Sequence, residues 1–302
     1  MELRQLKYFL KVAETLNFSS ASKELFITQS TLSQQIIQLE RELDQKLFQR
    51  NSHEVMLTEA GHTLLPLARD TVNSANTCVL RLQELKSLLT GELNIGATFS
   101  FCSIATETLM DFLKKYPNVK LNVCYASMEE LMDKLVRHEL DFVLAFRPSV
   151  RDEHVESHVL FNNRLAAIVN EQHPIAKYKT VTFGDIDRFD FALPAKGMQA
   201  RNALEKTLAN TGHHFKVKIE MNNVHLLFKV IRESNYITIL SESTVIDERE
   251  LVAVPLDVPE NDMEGCIHVL KNSYMKVSAR EFIRMLGSSS VMRNFCFTAL
   301  RG

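Results

Sequence analysis

The sequence contains few residues of the kinds that mark disulfide or metal chemistry. Its five cysteines are odd in number and widely scattered, and they are Cys78, Cys102, Cys124, Cys266 and Cys296. None belongs to a CxxC pair or to a Cys/His cluster with metal-ligand spacing, which argues against a disulfide framework and a structural zinc site. We expect reduced, mostly buried thiols, and a redox switch at Cys102 stays an open alternative.

Catalytic signatures are also missing from the sequence. None of the ten histidines lies in an HExxH motif, and GxSxG, P-loop and GxGxxG patterns do not occur. The pair His213 and His214 follows a helical segment and is expected at the surface. The sequence therefore predicts no catalytic residue, no metal and no cofactor, and an enzyme is only a rival interpretation.

Long apolar runs are the third absence. None approaches the roughly 18 residues that a membrane-spanning helix needs, and the charged start MELRQLKYFL does not have the form of a secretory signal. A cytoplasmic location is the resulting expectation. With 302 residues, 45% of them apolar and 24% charged, the chain is ample for two or three globular cores.

The segment ITQSTLSQQIIQLE, residues 27–40, predicts a helix with two different faces. One face carries the apolar stripe Leu32, Ile36, Leu39 and Leu43, which must contact a core. The opposite face is rich in Gln and Ser, and Thr28 is a suitable N-cap. A short helix precedes it, with Ser19 or Ser20 as candidate cap and small Ala21 at the expected crossing. Two short helices joined by about three residues indicate a helix-turn-helix.

The next segments predict a small hairpin and then a long helix. LFQR (47–50) and VMLT (55–58) flank NSHE and indicate a wing, after which Thr58 can cap the helix. Apolar residues then alternate by three and four through one seam, interrupted by Lys86; its apolar members are Leu65, Ala68, Val72, Ala75, Val79, Leu82 and Leu89. This spacing predicts a coiled coil with a second copy of the chain, the alternative being packing on its own domain.

From residue 91 onward, strand and helix patterns alternate. This order predicts a parallel α/β sheet in two lobes, with the chain crossing between them near 161–163 and returning near 264–266. Ligands of open α/β sheets bind at the carboxyl ends of the strands, so a two-lobed version places its ligand in the cleft.

Residues 6–61 carry an extended signature, LxxFLxVAExxxFSxAxxxLxxTQSTLSxQIxxLExELxxxLFxR followed by LTEAG. It resembles the winged helix-turn-helix of LysR-type transcriptional regulators, and GELNIG and LVRHELDFVLAF extend the resemblance over nearly the whole chain. The resemblance implies a bacterial regulator of the α/β class: an N-terminal winged helix-turn-helix with a long dimerisation helix, joined to a two-lobed periplasmic-binding-protein-like effector domain. The expected bounds are 1–58 for the DNA-binding domain, 59–90 for the dimerisation helix and 91–302 for the effector domain, with lobe I at about 91–162 and 265–302 and lobe II at about 163–264.

The resemblance also implies partners: double-stranded promoter DNA, further copies of the chain in a homodimer and a homotetramer, and RNA polymerase if the protein is an activator. Gln can bind adenine through two hydrogen bonds and Ser can serve several base edges, and the first turns of a recognition helix face the bases. The expected DNA-binding residues are Thr28, Gln29, Ser30, Thr31, Ser33, Gln34, Gln38 and Arg50.

The sequence departs from the family pattern at three places, and the departure in the wing bears on DNA affinity. Asp44 stands where many relatives have Gly and Ser22 where they have a second Ala, and the wing sequence NSHE lacks the basic residues and glycine usual there. Residues 1–58 contain seven Lys and Arg against seven Asp and Glu. Because affinity for DNA grows with the number of phosphates neutralised, we expect modest binding by a lone dimer.

The effector domain offers hydroxyl and amide groups at the predicted strand ends. Thr98 and Ser100 precede a helix N-terminus, an arrangement that favours an anion. The expected effector-binding residues, placed in the pocket by the resemblance, are Thr98, Ser100, Phe101, Ser127, Phe146, Gly197, Met198, Asn222 and Asn223. For each of them helix capping or turn formation is the alternative role. A redox-responsive regulator of the same family and a solute-binding protein are the other functional alternatives.

Overall fold

The computed structural model of the chain describes residues 1–50, 54–84, 90–148, 150, 152–209, 211–246, 248–259, 261–289 and 292. The chain divides into two compact units, Met1–Leu88 and Leu89–Gly302. Within the described residues, no helix combines the length and the apolar character needed to cross a membrane.

The N-terminal unit is a three-helix cluster with a hairpin and a long helix. Its elements are α1 (Leu3–Thr15), α2 (Phe18–Glu24), α3 (Gln29–Leu43), β1 (Phe48–Arg50), β2 (Val55–Leu57) and α4 (Glu59–Glu84). The Thr28 side chain accepts a hydrogen bond from the Thr31 N–H at 3.1 Å, as expected for the cap of α3. The cap of α2 is Asn17, whose side chain accepts from the Ser20 N–H at 2.9 Å. The expectation of Ser19 or Ser20 was therefore wrong by two or three residues.

The apolar stripe of α3 is buried, as its spacing predicts. Leu32, Ile36 and Leu39 join Phe9 and Phe48 in one core. Two members of the predicted seam, Ala68 and Val72, also belong to this core, and α4 contacts α1. The first half of α4 therefore packs on its own unit, whereas Leu82 in the second half is 65% exposed. Lys86 and Leu89 lie outside the described residues.

The C-terminal unit is a two-lobed α/β domain. Its elements are β3 (Gly91–Ala97), a 3₁₀ turn (Phe99–Phe101), α5 (Cys102–Lys115), β4 (Val119–Tyr125), α6 (Met128–Val136), β5 (Phe142–Phe146), β6 (Val155–Asn170), a 3₁₀ turn (Pro174–Lys177), α7 (Phe183–Ile186), β7 (Asp190–Pro194), α8 (Gln199–Leu208), β8 (Lys216–Met221), α9 (Val224–Arg232), β9 (Thr238–Ser241), a 3₁₀ turn (Glu242–Val245), β10 (Leu251–Pro255), β11 (Asp262–Leu270) and α10 (Val277–Gly287). The expected fold class, a winged helix-turn-helix followed by a two-lobed α/β domain, is confirmed.

One strand, β6, runs through both lobes. Its first part pairs antiparallel with β11, and its last part pairs with β9 and β10. In lobe I, β3 lies between the parallel strands β4 and β5, and β11 pairs antiparallel with β5. In lobe II, β7 and β8 are parallel neighbours. The carboxyl ends of β3, β4 and β5 therefore lie at one edge of lobe I.

The two chain segments that cross between the lobes are connected by hydrogen bonds between the Asn261 side chain and backbone groups. The Asn261 side chain accepts from the Leu165 N–H at 2.8 Å and donates to the Leu165 and Leu256 carbonyls at 3.0 and 2.7 Å. At Gly265 the register of β11 against β6 shifts by a bulge. A Cβ at Gly265 would lie 2.6 Å from the Phe161 ring, so only glycine allows this close approach.

His268 is a buried titratable group at the centre of lobe I. It is fully buried, its Nδ1 lies 2.8 Å from the Ser157 hydroxyl, and its Nε2 lies 3.2 Å from the Ala145 carbonyl. Both ring nitrogens thus have partners in the neutral form. Burial lowers the pKa of His268 from 6.5 to about 4, because the charged form loses its hydration.

This shift predicts an acid-sensitive effector domain. Below pH 6.5 the unfolded chain protonates His268 while the folded chain does not, so the free energy of unfolding falls between pH 6.5 and 4, by at most about 3 kcal/mol. The measurement is urea unfolding of the full chain by circular dichroism across this pH range. His268→Gln retains one donor and one acceptor but does not titrate. It should show a clearly smaller loss with falling pH, and an identical pH profile in both proteins would refute the assignment.

Candidate functional site

The polar face of α3 is accessible, as the sequence predicts for a surface that reads DNA. Seven of the eight expected contact residues lie on or directly before α3. Ser33 is half-buried and the other six are exposed, namely Thr28, Gln29, Ser30, Thr31, Gln34 and Gln38. The side chain of Arg50 and residues 51–53 of the wing lie outside what the structure describes.

The first turn of α3 is organised by hydroxyl groups. The Thr28 hydroxyl lies 2.9 Å from the Ser30 hydroxyl and 2.8 Å from that of Thr31. Ser19 of α2 donates to the Gln29 Oε1 at 3.0 Å. These bonds restrict the rotamers of the side chains, so less conformational entropy is lost when they bind a base or a phosphate.

The turn before α3 contains a residue that the sequence pattern did not single out. Phe26 adopts φ +55° and is 95% exposed, two residues before the N-cap Thr28 of α3. An exposed aromatic ring at this place is suited to apolar contact with a thymine methyl group. Its neighbours in the sequence give no signal for it, because the exposure follows from the left-handed turn conformation.

Glu40 connects the recognition helix to the wing. Its side chain is only 4% exposed. One carboxylate oxygen accepts from the N–H groups of Leu47 and Phe48, at 3.0 and 3.3 Å, and the other accepts from the Lys46 ammonium at 3.0 Å. Leu47 and Phe48 are themselves buried. The position of β1 therefore depends on a carboxylate supplied by α3.

In the C-terminal unit, Thr98 lies at the edge where the strands of lobe I end. Ala97 and Leu144 form the last β3–β5 pair, and the Thr98 N–H donates to the Leu144 carbonyl at 3.0 Å. Thr98 is 7% exposed, and no described residue hydrogen-bonds its hydroxyl. A buried hydroxyl without a partner costs about 1–3 kcal/mol, a cost that a hydrogen bond to a ligand would remove.

Four helices begin at strand ends of the two lobes, and they differ in their caps. The Ser127 hydroxyl accepts from the Glu130 N–H at 3.3 Å, and the Asn223 side chain accepts from the Leu226 N–H at 3.0 Å. The N-caps of α5 and α8 are Phe101 and Met198, and neither supplies a side-chain cap bond among the described residues. Ser127 and Asn223 thus cap their own helices, whereas α8 begins without a side-chain cap and α5 continues directly from the 3₁₀ turn, with the Cys102 N–H donating to the Phe99 carbonyl.

The aromatic residues of the expected site belong mainly to the core. Phe101 is fully buried, and its ring centroid lies 5.3 Å from that of Phe146 and 5.5 Å from that of Phe161. Phe146 is almost fully buried as well. These rings support the strand ends from below, and Phe146 takes part in the cleft through its backbone.

The lobe II residues of the expected site form the facing edge. Gly197 has φ +90°, a conformation that glycine adopts without strain, and its N–H donates to the Asn202 side chain at 3.3 Å. Met198 packs partly on the core, and Asn222 is exposed after β8. Gln199 was not expected from the sequence, yet its side-chain amide binds the Phe146 backbone at 3.2 and 2.8 Å.

A cavity of about 190 Å³ adjoins the same edge. Its lining residues come from both lobes and are Phe99, Ser100, Cys102, Thr106, His225, Thr244 and Glu248. The Phe99 ring contacts the His225 ring edge-on, with centroids 4.8 Å apart, and Glu248 is ion-paired with Arg232. Of the expected site residues only Ser100 lines this cavity. The other lining residues were not among the expected site residues, because helix positions far apart in sequence meet here only after folding.

Cys102 is the residue on which the redox alternative depends. Burial raises the pKa of its thiol, an effect only partly opposed by the Tyr125 hydroxyl. Since the thiolate is the reactive form, a raised pKa lowers the fraction of reactive thiolate at Cys102. Cys296 lies outside the described residues.

The role of Glu40 leads to a test of the DNA-binding surface. In Glu40→Ala the buried N–H groups of Leu47 and Phe48 lose their acceptor, which should cost about 1–3 kcal/mol locally and loosen the wing. We expect gel shifts with DNA from upstream of the gene to show at least fivefold weaker binding, while circular dichroism stays unchanged. Glu42→Ala is the matched control, because Glu42 lies in the same helix but is exposed, and its one ion pair within the described residues is with the N-terminus. Equal affinity of the Glu40 variant and its control would disprove the role of Glu40.

Two family models match the chain. The model described as "Bacterial regulatory helix-turn-helix protein, lysR family" covers residues 3–62, and the "LysR substrate binding domain" covers residues 86–290.

Curated proteins and solved structures agree with these models. The transcriptional dual regulator GltC of Bacillus subtilis is 28% identical over 285 residues, 93% of this chain and 95% of that protein. The uncharacterized HTH-type transcriptional regulator YwqM of the same species is 30% identical over 252 residues, 82% and 85% of the two chains. A full-length OxyR variant from Pseudomonas aeruginosa superposes with a TM-score of 0.73 at 20% identity, covering 97% of this chain and 95% of that one. CbnR in complex with its target DNA superposes with a TM-score of 0.62 at 20% identity, covering 96% and 100%.

The substrate-binding model alone accounts for most of the chain, and the helix-turn-helix model matches the unit whose polar α3 face is accessible. The chain belongs to the LysR family of transcriptional regulators.

Proposed function

We propose that this regulator binds promoter DNA through the polar face of α3 and the wing, and that a small anionic effector bound in the cleft of residues 91–302 controls it. The single observation that supports the effector class best is the buried hydroxyl of Thr98, which no described residue binds. It lies beside α5, whose N-cap residue supplies no side-chain acceptor among the described residues. Hydroxyl and helix N–H donors together favour a carboxylate, sulfate or phosphate group.

For the effector site we propose a smaller set of direct contacts than the sequence suggested. Thr98 and Ser100 of lobe I and the backbone around Gly197 and Met198 of lobe II contact the effector. The Phe146 backbone, Ser127, Asn222 and Asn223 complete the rim, and Phe101 supports the site from the core. The cavity beside Phe99 has room for a group of a few heavy atoms, since a water molecule occupies about 30 Å³ of liquid.

For the DNA interface we propose contacts from Thr28, Gln29, Ser30, Thr31, Ser33 and Gln34 to bases and nearby phosphates, with Gln38 and Arg50 further out. The neutral charge balance of residues 1–58 makes selectivity the main contribution of this surface. Strong binding then requires several copies of the chain on adjacent half-sites.

For the assembly we propose a homodimer through residues 59–90, and a homotetramer of two such dimers. The exposed apolar residues in the second half of α4, Val79 and Leu82, support this, because the first half already packs on its own unit. We further propose the domain bounds 1–58, 59–90 and 91–302, a cytoplasmic location, contact with RNA polymerase if the protein activates transcription, and no enzymatic activity.

A redox-responsive regulator remains the second candidate within the family. The similarity to OxyR, at 20% identity, shows a common fold. The raised pKa of the Cys102 thiol speaks against this candidate at the cysteine nearest the cleft.

Thr98→Val tests the effector site. It keeps the shape of the side chain and removes the hydroxyl, so a bound anion loses one charge-assisted hydrogen bond, about 1.5–3 kcal/mol. We expect calorimetric titration with sulfate and small carboxylates to show at least tenfold weaker binding. Thr207→Val is the control, because the Thr207 hydroxyl binds the Ala203 carbonyl within α8. If Thr98→Val and wild type bound every anion alike, the effector would have to bind elsewhere.

Val79→Glu combined with Leu82→Glu tests the dimer interface. In a dimer the introduced glutamates of the two copies would face each other, and like charges in a coiled-coil seam destabilise it. Light scattering should therefore show a shift from an oligomer toward the 34.5 kDa monomer. Thr77→Glu places the same charge on roughly the opposite side of α4 and should leave the mass unchanged. An oligomer that survives the double substitution would place the interface outside this part of α4.

A further inference from the structure

Gln199 links the two lobes across the cleft. It is the first residue of α8 in lobe II, and Phe146 is the last residue of β5 in lobe I. The Gln199 Oε1 accepts from the Phe146 N–H at 3.2 Å, and the Gln199 Nε2 donates to the Phe146 carbonyl at 2.8 Å. A single side chain thus satisfies both polar groups of one backbone residue.

The strand arrangement explains why these groups need a partner. The neighbouring strand β3 ends at Ala97, which pairs with Leu144, so β3 provides no pair for Phe146. On the other side, the Arg147 N–H donates to the Glu264 carbonyl of β11 at 2.8 Å. Because successive residues of a strand direct their N–H groups to opposite sides, the Phe146 groups face the side where β3 has ended. The Gln199 side chain there makes the hydrogen bonds to β5 that a further residue of β3 would make.

A second contact closes the cleft near the same place. Phe99 of lobe I lies 4.8 Å from the His225 ring and 6.0 Å from the Phe228 ring, both of α9 in lobe II. The Thr98 hydroxyl, one residue before Phe99, is buried as well. Separation of the two lobes breaks both hydrogen bonds of Gln199.

We propose that Gln199 is a gating residue of the effector cleft: its two hydrogen bonds to Phe146 hold the two lobes together across the cleft, and an effector that needs the lobes apart binds in competition with them. The proposal rests on the proposed function in placing the effector at Thr98. When only a fraction of the protein is open, the apparent dissociation constant is the intrinsic one divided by that fraction. Removing Gln199 should therefore strengthen effector binding.

Hydrogen exchange of the full-length protein tests the closed state without any ligand. In Gln199→Ala we expect the Phe146 amide to exchange about tenfold faster, since its acceptor is gone and the cleft opens more often. The Arg147 amide is the internal control, because it donates to the Glu264 carbonyl of β11, the strand beside β5, and has no bond to Gln199 among the described residues. Asn202→Ala is the matched variant: Asn202 is an amide side chain of α8 that binds the Gly197 backbone within lobe II.

The exchange results separate the proposal from a local effect. Faster exchange at Phe146 alone, in Gln199→Ala but not in Asn202→Ala, supports the cross-lobe bond. Equal acceleration at Phe146 and Arg147 would mean general loosening of lobe I and would overturn the proposal. Unchanged exchange at Phe146 would overturn it as well. Gln199→Glu adds a further check, because a carboxylate accepts from the Phe146 N–H but repels the Phe146 carbonyl, so exchange should also rise.

Sulfate titration tests the competition. We expect Gln199→Ala to bind sulfate about threefold to tenfold more tightly than the wild type. Weaker binding in the variant would show that Gln199 contacts the anion directly, and equal affinity would show that the cleft is open in both proteins; either result overturns the gate. If neither protein binds sulfate but the Phe146 amide exchanges faster in Gln199→Ala, the result contradicts the anionic effector of the proposed function. It still supports the hydrogen bonds between Gln199 and Phe146 that close the cleft.

Discussion

The effector domain depends on the antiparallel pairing of β6 with β11. This pairing carries the 16-residue strand β6 from lobe I into lobe II, where its last residues continue in a second set of strands. The close approach of the Phe161 ring to Gly265 fixes β6 against β11 where the two strands cross between the lobes. Phe161 also contacts Phe101, which contacts Phe146. The position of the Phe146 backbone, and hence the edge that Gln199 meets, is set by how tightly these two strands pack where they cross.

In the DNA-binding unit a buried carboxylate, that of Glu40, fixes the neighbouring backbone, as the Phe161 ring does in the effector domain. Glu40 is one of the seven acidic residues that make residues 1–58 neutral, yet it is buried and bound by backbone N–H groups. Glu14 and Glu24 both pair with Lys11. Part of the acidic charge is therefore used internally. The exposed recognition face is polar without a marked charge, which suits hydrogen bonding to base edges more than attraction to phosphates.

Much of the fold was predictable from the sequence, because it depends on local patterns. The stripe of α3 and its Thr28 cap follow from spacing and hydroxyl chemistry, and the alternation of strands and helices after residue 91 predicts the two lobes. The unpredicted features depend on contacts between distant residues. The apolar spacing of α4 is regular from Leu65 to Leu82, but the neighbouring α1 helps to bury its first half. The caps of Ser127 and Asn223 are local by contrast, since each side chain accepts from an N–H three residues later, and capping is the alternative role that the sequence gives them. Gln199 and His225 have no sequence signal, since their partners lie 53 and more than 100 residues away.

The two features of the cleft oppose each other energetically. Closure gains the hydrogen bonds of Gln199 and the contact of Phe99 with α9, but it buries the Thr98 hydroxyl without a partner among the described residues. Two neutral hydrogen bonds contribute about 1–3 kcal/mol, and an unsatisfied buried hydroxyl costs about the same. These contributions have opposite signs, and a ligand that favours one form shifts the population toward it. In the proposed gate, an anion that binds Thr98 removes this penalty and breaks the two Gln199 hydrogen bonds in the same step. Thr98 and Gln199 therefore affect the same equilibrium between the open and the closed cleft.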